Sequence, residues 1–322
     1  MRMASSHHSI PRRNNVKPDS LAGNRPTAAR MLTLAMLLVA FLGCGAAPPP
    51  PFDSARALEW VDRQVAHGPR IPGTPAHSAC AIEIEHTLRG LADDVRVHKA
   101  EARGVPLTNV IAAFRPDADE RIFLMAHWDT RPSADEDPDP ARRNDPVPGA
   151  NDGASGTAVL LEIARLLADT PPPRGVDLFF VDGEDGGEHG DPSSWCLGSR
   201  ALASALTGYR PRMGILVDMV GDADLRLPME QHSLAYAGKQ TRWIWSLAAG
   251  LGESAFVELP GPAVTDDHLP FLEIGIPTVD LIDLDYAYWH TVSDTPDKVS
   301  AESLESVGRV LLAALFARDL PE

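Results

Sequence analysis

The chain has 322 residues, 29 Lys and Arg against 45 Asp and Glu, a formal net charge of −16, and 44% hydrophobic residues. That composition is globular rather than disordered, collagenous or coiled-coil, and the acidity argues against a nucleic-acid partner, because phosphate neutralisation needs a basic surface. Three cysteines are too few for a disulfide-stapled scaffold.

Residues 1–30 are polar and carry Arg2, Arg12, Arg13, Lys17, Arg25 and Arg30 against Asp19 alone. An apolar run follows at 31–42. It is too short to span a bilayer comfortably and the right length for the core of a signal peptide. Gly43 and Cys44 come next, then four prolines at 48–51. This pattern resembles a bacterial lipoprotein signal, with Cys44 as the lipidated residue, although Phe41 and Leu42 are bulkier than the usual residues before such a cysteine. The expected organisation is a signal peptide at 1–43, a stiff Pro-rich tether at 44–52 and one folded domain at 53–322. The expected location is the periplasm or cell envelope, as a monomer held to the membrane only through Cys44. Six of the 29 basic residues and one of the 45 acidic ones lie in 1–43, so the remainder carries −21. Besides Cys44 it holds Cys80 and Cys196, which are either paired in an oxidising compartment or separate buried thiols.

In chain order, residues 54–67 read as a helix, with Ala57, Leu58, Val61 and Val65 at helical spacing. A turn-rich loop at 68–75 leads to a second helix at 76–91. Short strands are predicted at 95–98 and 109–114, and a buried one at 121–126 (RIFLMA). The segment 133–149 is a long loop with Asp135, Glu136, Asp137 and Asp139, read as a solvated acidic rim rather than a calcium site. A helix at 155–168, a central strand at 176–181 (VDLFFV), a Gly-rich loop at 183–198 and a helix from about Ser199 follow. A strand at 213–220, a helix at 241–251, a strand at 277–282 and a helix at 301–316 complete the pattern. Alternating strands and helices predict a single α/β domain with a mostly parallel, mixed central sheet covered by helices on both faces.

In such sheets, sites form at the carboxyl ends of the strands. Here one strand ends at His127-Trp128-Asp129, another at Asp182-Gly183-Glu184-Asp185 and a third at Asp218, while the last is followed by Trp289-His290-Thr291. Between them, Asp152 precedes the helix at Ser155. Acids and imidazoles gathered at one rim are costly unless a dication offsets them. Mixed His nitrogen and carboxylate oxygen suits zinc, either two ions bridged by a carboxylate or one ion with a spare half-site. Asp129 is placed to orient the His127 imidazole. Glu184 and Asp185 are adjacent and cannot face the same way, so one can bind metal while the other moves protons. Trp243 and Trp245 read as packing residues, and His67, His77 and His98 receive no role.

The segments AHWDTRP (126–132), GANDGASG (149–156), FFVDGED (179–185), WCLGSR (195–200), LVDMVGDADL (216–225), TDDHLPFLEIGIP (265–277) and YWHTVSDTPDKV (288–299) resemble the zinc-dependent aminopeptidase family that includes the glutaminyl-peptide cyclotransferases. The resemblance implies a zinc-dependent catalytic domain over 53–322, with Asp152, Asp185 and His290 on the principal zinc. His127 and Asp218 would form a second site with bridging Asp152, commonly empty in the cyclases, so one zinc is expected and two remain possible. It implies Glu184 as general base and acid, Asp266 beside the substrate amine and Trp289 as an aromatic wall. TDDHLPF and Trp289-His290 resemble the cyclase branch, which turns the N-terminal Gln of peptides or proteins into pyroglutamate with loss of ammonia. Asp185 stands where Glu is more frequent, and Thr265 where an amide or acid is often seen. Gly190 occupies the place of a Trp found in animal cyclases, with Trp195 close in sequence as a substitute. The same ligand set also suits a metalloaminopeptidase, and the fold alone a non-catalytic binding lipoprotein.

Overall fold

The computed structural model describes residues 48–321. The signal-peptide reading of 1–43 and the lipidation reading of Cys44 lie outside these residues. Prolines 48–51 carry no regular secondary structure, and Phe52 is buried, its ring lying where any side chain at Gly308 would collide with it.

Two helices come first, α1 (Ser54–Ala66) and α2 (Pro75–Arg89). Asp53 and Thr74 cap them, each side chain accepting a backbone N–H from the first turn. The strands β1 (Asp94–Ala102) and β2 (Val105–Phe114) form an antiparallel hairpin. They are longer than the sequence predicts. Arg103 and Gly104 join them with φ of 54° and 80°, the left-handed pair that matches strand twist in a two-residue turn. Then come β3 (Arg121–His127), α3 (Ala154–Asp169), β4 (Gly175–Val181), α4 (Leu197–Ala205) and β5 (Gly214–Asp218). The sequence reading did not anticipate β6 (Leu227–Met229), α5 (Gln231–Tyr236), which precedes α6 (Gly238–Leu251), or β7 (Phe256–Pro260) and α7 (His268–Glu273). The chain closes with β8 (Thr278–Ile282) and α8 (Ala301–Phe316).

The main sheet has the order β1-β2-β4-β3-β5-β8. The strands β4, β3, β5 and β8 are parallel, and the β1–β2 hairpin adds antiparallel at the β4 edge. The fold is therefore the predicted single α/β domain with a mixed, mostly parallel sheet. Side chains alternate across it. Val176, Leu178 and Phe180 of β4 join the larger core with α1, α3 and α8, whereas Phe179 and Val181 join a smaller one with Leu202 of α4 and Phe271 of α7. Asp177 faces the smaller side, where Arg121 donates to both of its oxygens (2.7 and 2.9 Å) and the Tyr209 hydroxyl donates at 2.5 Å. Helix α3 is buried almost all round, as its apolar composition requires. Trp245 is buried and its N–H donates to the carbonyls of Leu227 and Val257, so it packs as expected. Cys80 and Cys196 are separate buried thiols. Among the described residues, no helix is long and apolar enough to cross a membrane.

From β3 the chain crosses to β4 on one side, and from β5 to β8 on the other. The connections diverge between β3 and β5, leaving a crevice at their carboxyl ends. His127 and Asp218 are the last residues of those two strands.

Candidate active site and metal centre

The crevice holds two clusters that share one carboxylate. Ligand atoms of His127, Asp152 and Asp218 all lie within 4.8 Å of one another, and so do those of Asp152, Asp185 and His290. His127 Nε2 is 3.0 Å from Asp218 Oδ1 and 3.1 Å from Asp152 Oδ1. On the other side, His290 Nε2 is 3.2 Å from Asp185 Oδ1 and 3.8 Å from Asp152 Oδ2. The two oxygens of Asp152 thus face different imidazoles, as a bridging carboxylate must. All five side chains are buried.

Local backbone sets this up. Asp152 ends a turn at Gly153, whose φ is 90°, and a Cβ there would stand 2.5 Å from the Asp129 carbonyl and 3.1 Å from the His127 ring. Only glycine lets helix α3 start so close to the end of β3. His290 is held at φ 53°, an uncommon conformation for a residue with a side chain. Asp294 accepts the N–H groups of Asn151 (2.8 Å) and Asp152 (3.1 Å) and the Tyr286 hydroxyl (2.7 Å), pinning the turn.

These residues fit a metal. Both oxygens of Asp185 and Nδ1 of His290 are buried without a hydrogen-bond partner. A buried carboxylate that faces an imidazole and a second carboxylate, with only the Arg131 guanidinium at 3.5 Å beside it, suits a dication. The mixed nitrogen and oxygen donors suit zinc.

Asp129 Oδ1 stands 3.5 Å from His127 Nδ1, the ring nitrogen that faces away from Asp152 and Asp218. Its oxygens also accept the N–H groups of Glu184 and Asp185, both at 3.2 Å. These neighbours then diverge: Asp185 faces His290, while Glu184 clusters with Cys196 and Asp266. The Cys196 thiol donates to Glu184 Oε1 at 3.4 Å. Burial and the nearby Asp266 charge hold the Glu184 carboxyl well above its usual range. Burial and Asp280 do the same to Asp266.

Trp289 stacks on His290 with ring centroids 3.8 Å apart, and the Trp195 ring lies nearly parallel to His290 at 6.2 Å. Both indoles line a hollow of about 60 Å³ that also reaches Asp152, Glu184, Asp218 and Asp266. Every sequence-predicted site residue except Asp185, His127 and Asp129 lines this hollow, and those three sit immediately behind it in contact with its walls. A larger surface hollow of about 640 Å³, formed by residues 223–226, 252–255 and the start of α8, contains none of them.

The acidic loop is less solvated than expected. Asp137 is buried and its Oδ2 accepts the Val292 N–H at 3.1 Å, while the Glu136 N–H donates to the His290 carbonyl at 3.3 Å. His77, given no role from sequence, is buried, lies 2.9 Å from both oxygens of Asp182 and stacks on Trp128. Arg131, Asp135, Cys196 and Asp294 were also missed. The only local signals for them were the four-residue spacings Arg131 to Asp135 and His290 to Asp294.

The sequence profile described as Peptidase family M28 matches residues 109–315. The chain belongs to peptidase family M28. The glutaminyl-peptide cyclotransferase of Bothrops jararaca is 26% identical over 290 residues, covering 75% of each chain. Two solved structures superpose closely. One is a glutaminyl cyclase of Bacteroides thetaiotaomicron bound to N-acetylhistamine, with TM-score 0.81, 35% identity and coverage of 84% of this chain and 100% of that one. The other is a Zn-dependent exopeptidase from Parabacteroides distasonis, with TM-score 0.80, 36% identity and coverage of 84% and 99%.

Proposed function

We propose that this M28 protein is a glutaminyl-peptide cyclotransferase acting on peptide or protein N-termini. The observation that carries the reading is the 60 Å³ hollow, in which Glu184 and Asp266 face a space walled by Trp195 and Trp289. Its size suits a side-chain amide folded back on its own amine, and its indoles exclude water, the competing nucleophile. The cyclotransferase and cyclase relatives support the same reading.

Asp152, Asp185 and His290 would hold one zinc; His127 and Asp218, with Asp152, offer a second place. Zinc bound there supplies Lewis acidity to an amide carbonyl. Glu184, which lines the hollow beside Asp266, would take a proton from the substrate α-amine. The amine nitrogen then bonds to the side-chain amide carbon, the carbon–nitrogen bond to the amide NH₂ breaks, and Glu184 returns its proton to the departing ammonia. Asp266 orients the amine, and Trp289 packs on the substrate.

A second reading, metalloaminopeptidase, is favoured by the complete pair of ligand clusters sharing Asp152. Incubating the zinc-loaded protein with Gln-Xaa and Leu-Xaa peptides separates them by mass. Loss of ammonia from Gln-Xaa is the expected result. Free Leu with untouched Gln peptide would replace the first reading with the second. Export with a lipid on Cys44 belongs to the same proposal, supported by the basic flank and apolar run before it. The mass of the N-terminal peptide from membranes tests it.

A further inference from the structure

Glu184 belongs to a further group of possible ligand atoms, apart from the two that share Asp152. Its carboxylate, the Cys196 thiol and the Asp266 carboxylate lie within 4.8 Å of one another, and all three residues are buried. The sulfur is 3.4 Å from Glu184 Oε1. Asp266 Oδ2 is buried without a hydrogen-bond partner, and so is Oδ2 of the adjacent Asp267. We infer that Glu184, Cys196 and Asp266 form an inhibitory site for a thiophilic dication, zinc or cadmium, separate from the sites built on Asp152. This goes beyond the cyclotransferase reading, because such an ion is detected through its bond to sulfur whichever reaction the crevice performs.

The spacing is that of ligands sharing an ion. Zinc bonds of about 2.3 Å to sulfur and about 2.0 Å to oxygen, opened to the tetrahedral angle, put the two ligand atoms about 3.5 Å apart. The observed 3.4 Å agrees with this. The backbone also ties the pair together. The Cys196 N–H donates to the Glu184 carbonyl at 3.2 Å, and the Leu197 N–H to the Gly183 carbonyl at 2.9 Å. Cys196 is held at φ 59°, in the left-handed region that favours glycine. A Cβ on Gly198 would stand 2.0 Å from the Asp182 carbonyl, so α4 begins hard against the end of β4. Ligands already in place lose little freedom when the ion arrives.

Ligand chemistry sets the choice of ion. Calcium and magnesium take roughly six or more oxygens, whereas one thiolate with two carboxylates suits a softer metal. On binding, the S–H bond breaks, the proton leaves to solvent and sulfur bonds the metal. Two carboxylates gathered in a buried crevice, with Asp267 next to them, gain from a dication. Glu184 and Asp266 line the 60 Å³ hollow, which gives the ion its way in. The same two carboxylates face the place proposed for the substrate amine, so ion and substrate exclude one another.

The test titrates the zinc-loaded protein with cadmium chloride and reads two signals, the ultraviolet absorption of a cadmium–thiolate bond and ammonia release from Gln-Phe-amide. The absorption is expected to rise to about one such bond per chain while ammonia release falls in parallel, and saturating peptide is expected to suppress both effects. In Cys196→Ser the absorption should vanish and the half-inhibiting cadmium concentration should rise at least about tenfold relative to that variant's own uninhibited rate. Inhibition without the absorption, or equal inhibition of the two proteins, would put the inhibiting ion elsewhere and overturn the inference; absence of both signals would overturn it as well. Should Cys196→Ser not fold, the wild-type protein decides, since an absorption indifferent to saturating peptide would place the cadmium away from Glu184 and Asp266. Should no ammonia appear before cadmium is added, the cyclotransferase reading falls, and the absorption and its loss in Cys196→Ser still decide this inference.

Discussion

Arg131 grips Asp135 through two parallel hydrogen bonds of 2.6 Å, from Nε to Oδ1 and from Nη2 to Oδ2. The same guanidinium donates to the Asp185 carbonyl at 3.1 Å, and Asp135 Oδ1 stands 3.5 Å from His290 Nδ1. One buried cation thereby ties together the surroundings of two proposed zinc ligands. Lysine has no fork with which to replace it. Arg131→Lys is expected to weaken zinc binding about 10–100-fold, as loss of outer ligand support commonly does. Chelator competition on metal-stripped protein measures this, and unchanged affinity would show that the ligands hold their places without Arg131.

Glu184 lies beside Cys196 and Asp266 and lines the same hollow as His290. Glu184→Gln keeps the shape and removes the proton carrier. Turnover should fall at least about 100-fold while bound zinc, counted by metal analysis, stays at the wild-type ratio. Persisting turnover would move the proton-transfer role to another group.

Asp294 serves three donors at once, two of them the N–H groups of Asn151 and Asp152. Asp294→Ala strands them in a buried turn, with a stability loss of about 3 kcal/mol or more. Tyr286→Phe removes only one of the three bonds and should cost about 1 kcal/mol. Urea unfolding of the two variants gives the comparison; equal losses would mean that the turn is pinned elsewhere.

Glu230 lies outside the crevice and reports on acid stability. Burial pushes its carboxyl up, but contact with His268 and the N–H groups of His232 and Ser233 outweigh burial and bring it down to about 2. A carboxyl depressed on folding stabilises above its unfolded value, about 4.3, and loses that contribution as pH falls toward its folded value. Glu230→Gln should therefore destabilise the protein most above about pH 5, and the gap to wild type should narrow as pH drops from there toward 2. Thermal melts across that range follow it; a gap independent of pH would deny the carboxylate this role.

Cys80 and Cys196 are fully buried. Burial pushes the Cys80 thiol up to about 12, and burial beside Glu184 pushes Cys196 well above the usual range. Thiolate is the reactive form. Both residues should escape iodoacetamide in the native protein and react after unfolding, as peptide mapping would show. Rapid native labelling of either one would contradict its burial.

The apolar runs 122–126 and 178–181 were legible because strands buried on both faces leave near-continuous hydrophobic sequence. The residues at their ends were legible as candidates for the same reason, since a polar residue ending such a run stands out. The β1 strand was harder: it is an edge with exposed and half-buried positions, so DVRVHKAEA shows little contrast. The supporting acid Asp294 was illegible for a different reason. It binds backbone N–H groups 143 and 142 residues away, and a backbone donor leaves no mark in sequence. His77 likewise meets Asp182 only because α2 packs against the β1–β2 hairpin.

The proposed zinc ligands come from the turn before α3, the end of β4 and the segment after β8, and Asp152 and His290 are 138 positions apart. No single hairpin or helix pair can assemble them. The ion would therefore bind the finished tertiary structure and no local fragment of it, so its binding energy would accrue to the native state alone. Free zinc concentration would then set the melting temperature, and scarcity of the metal would be felt as shortened survival of the folded protein as well as lost activity.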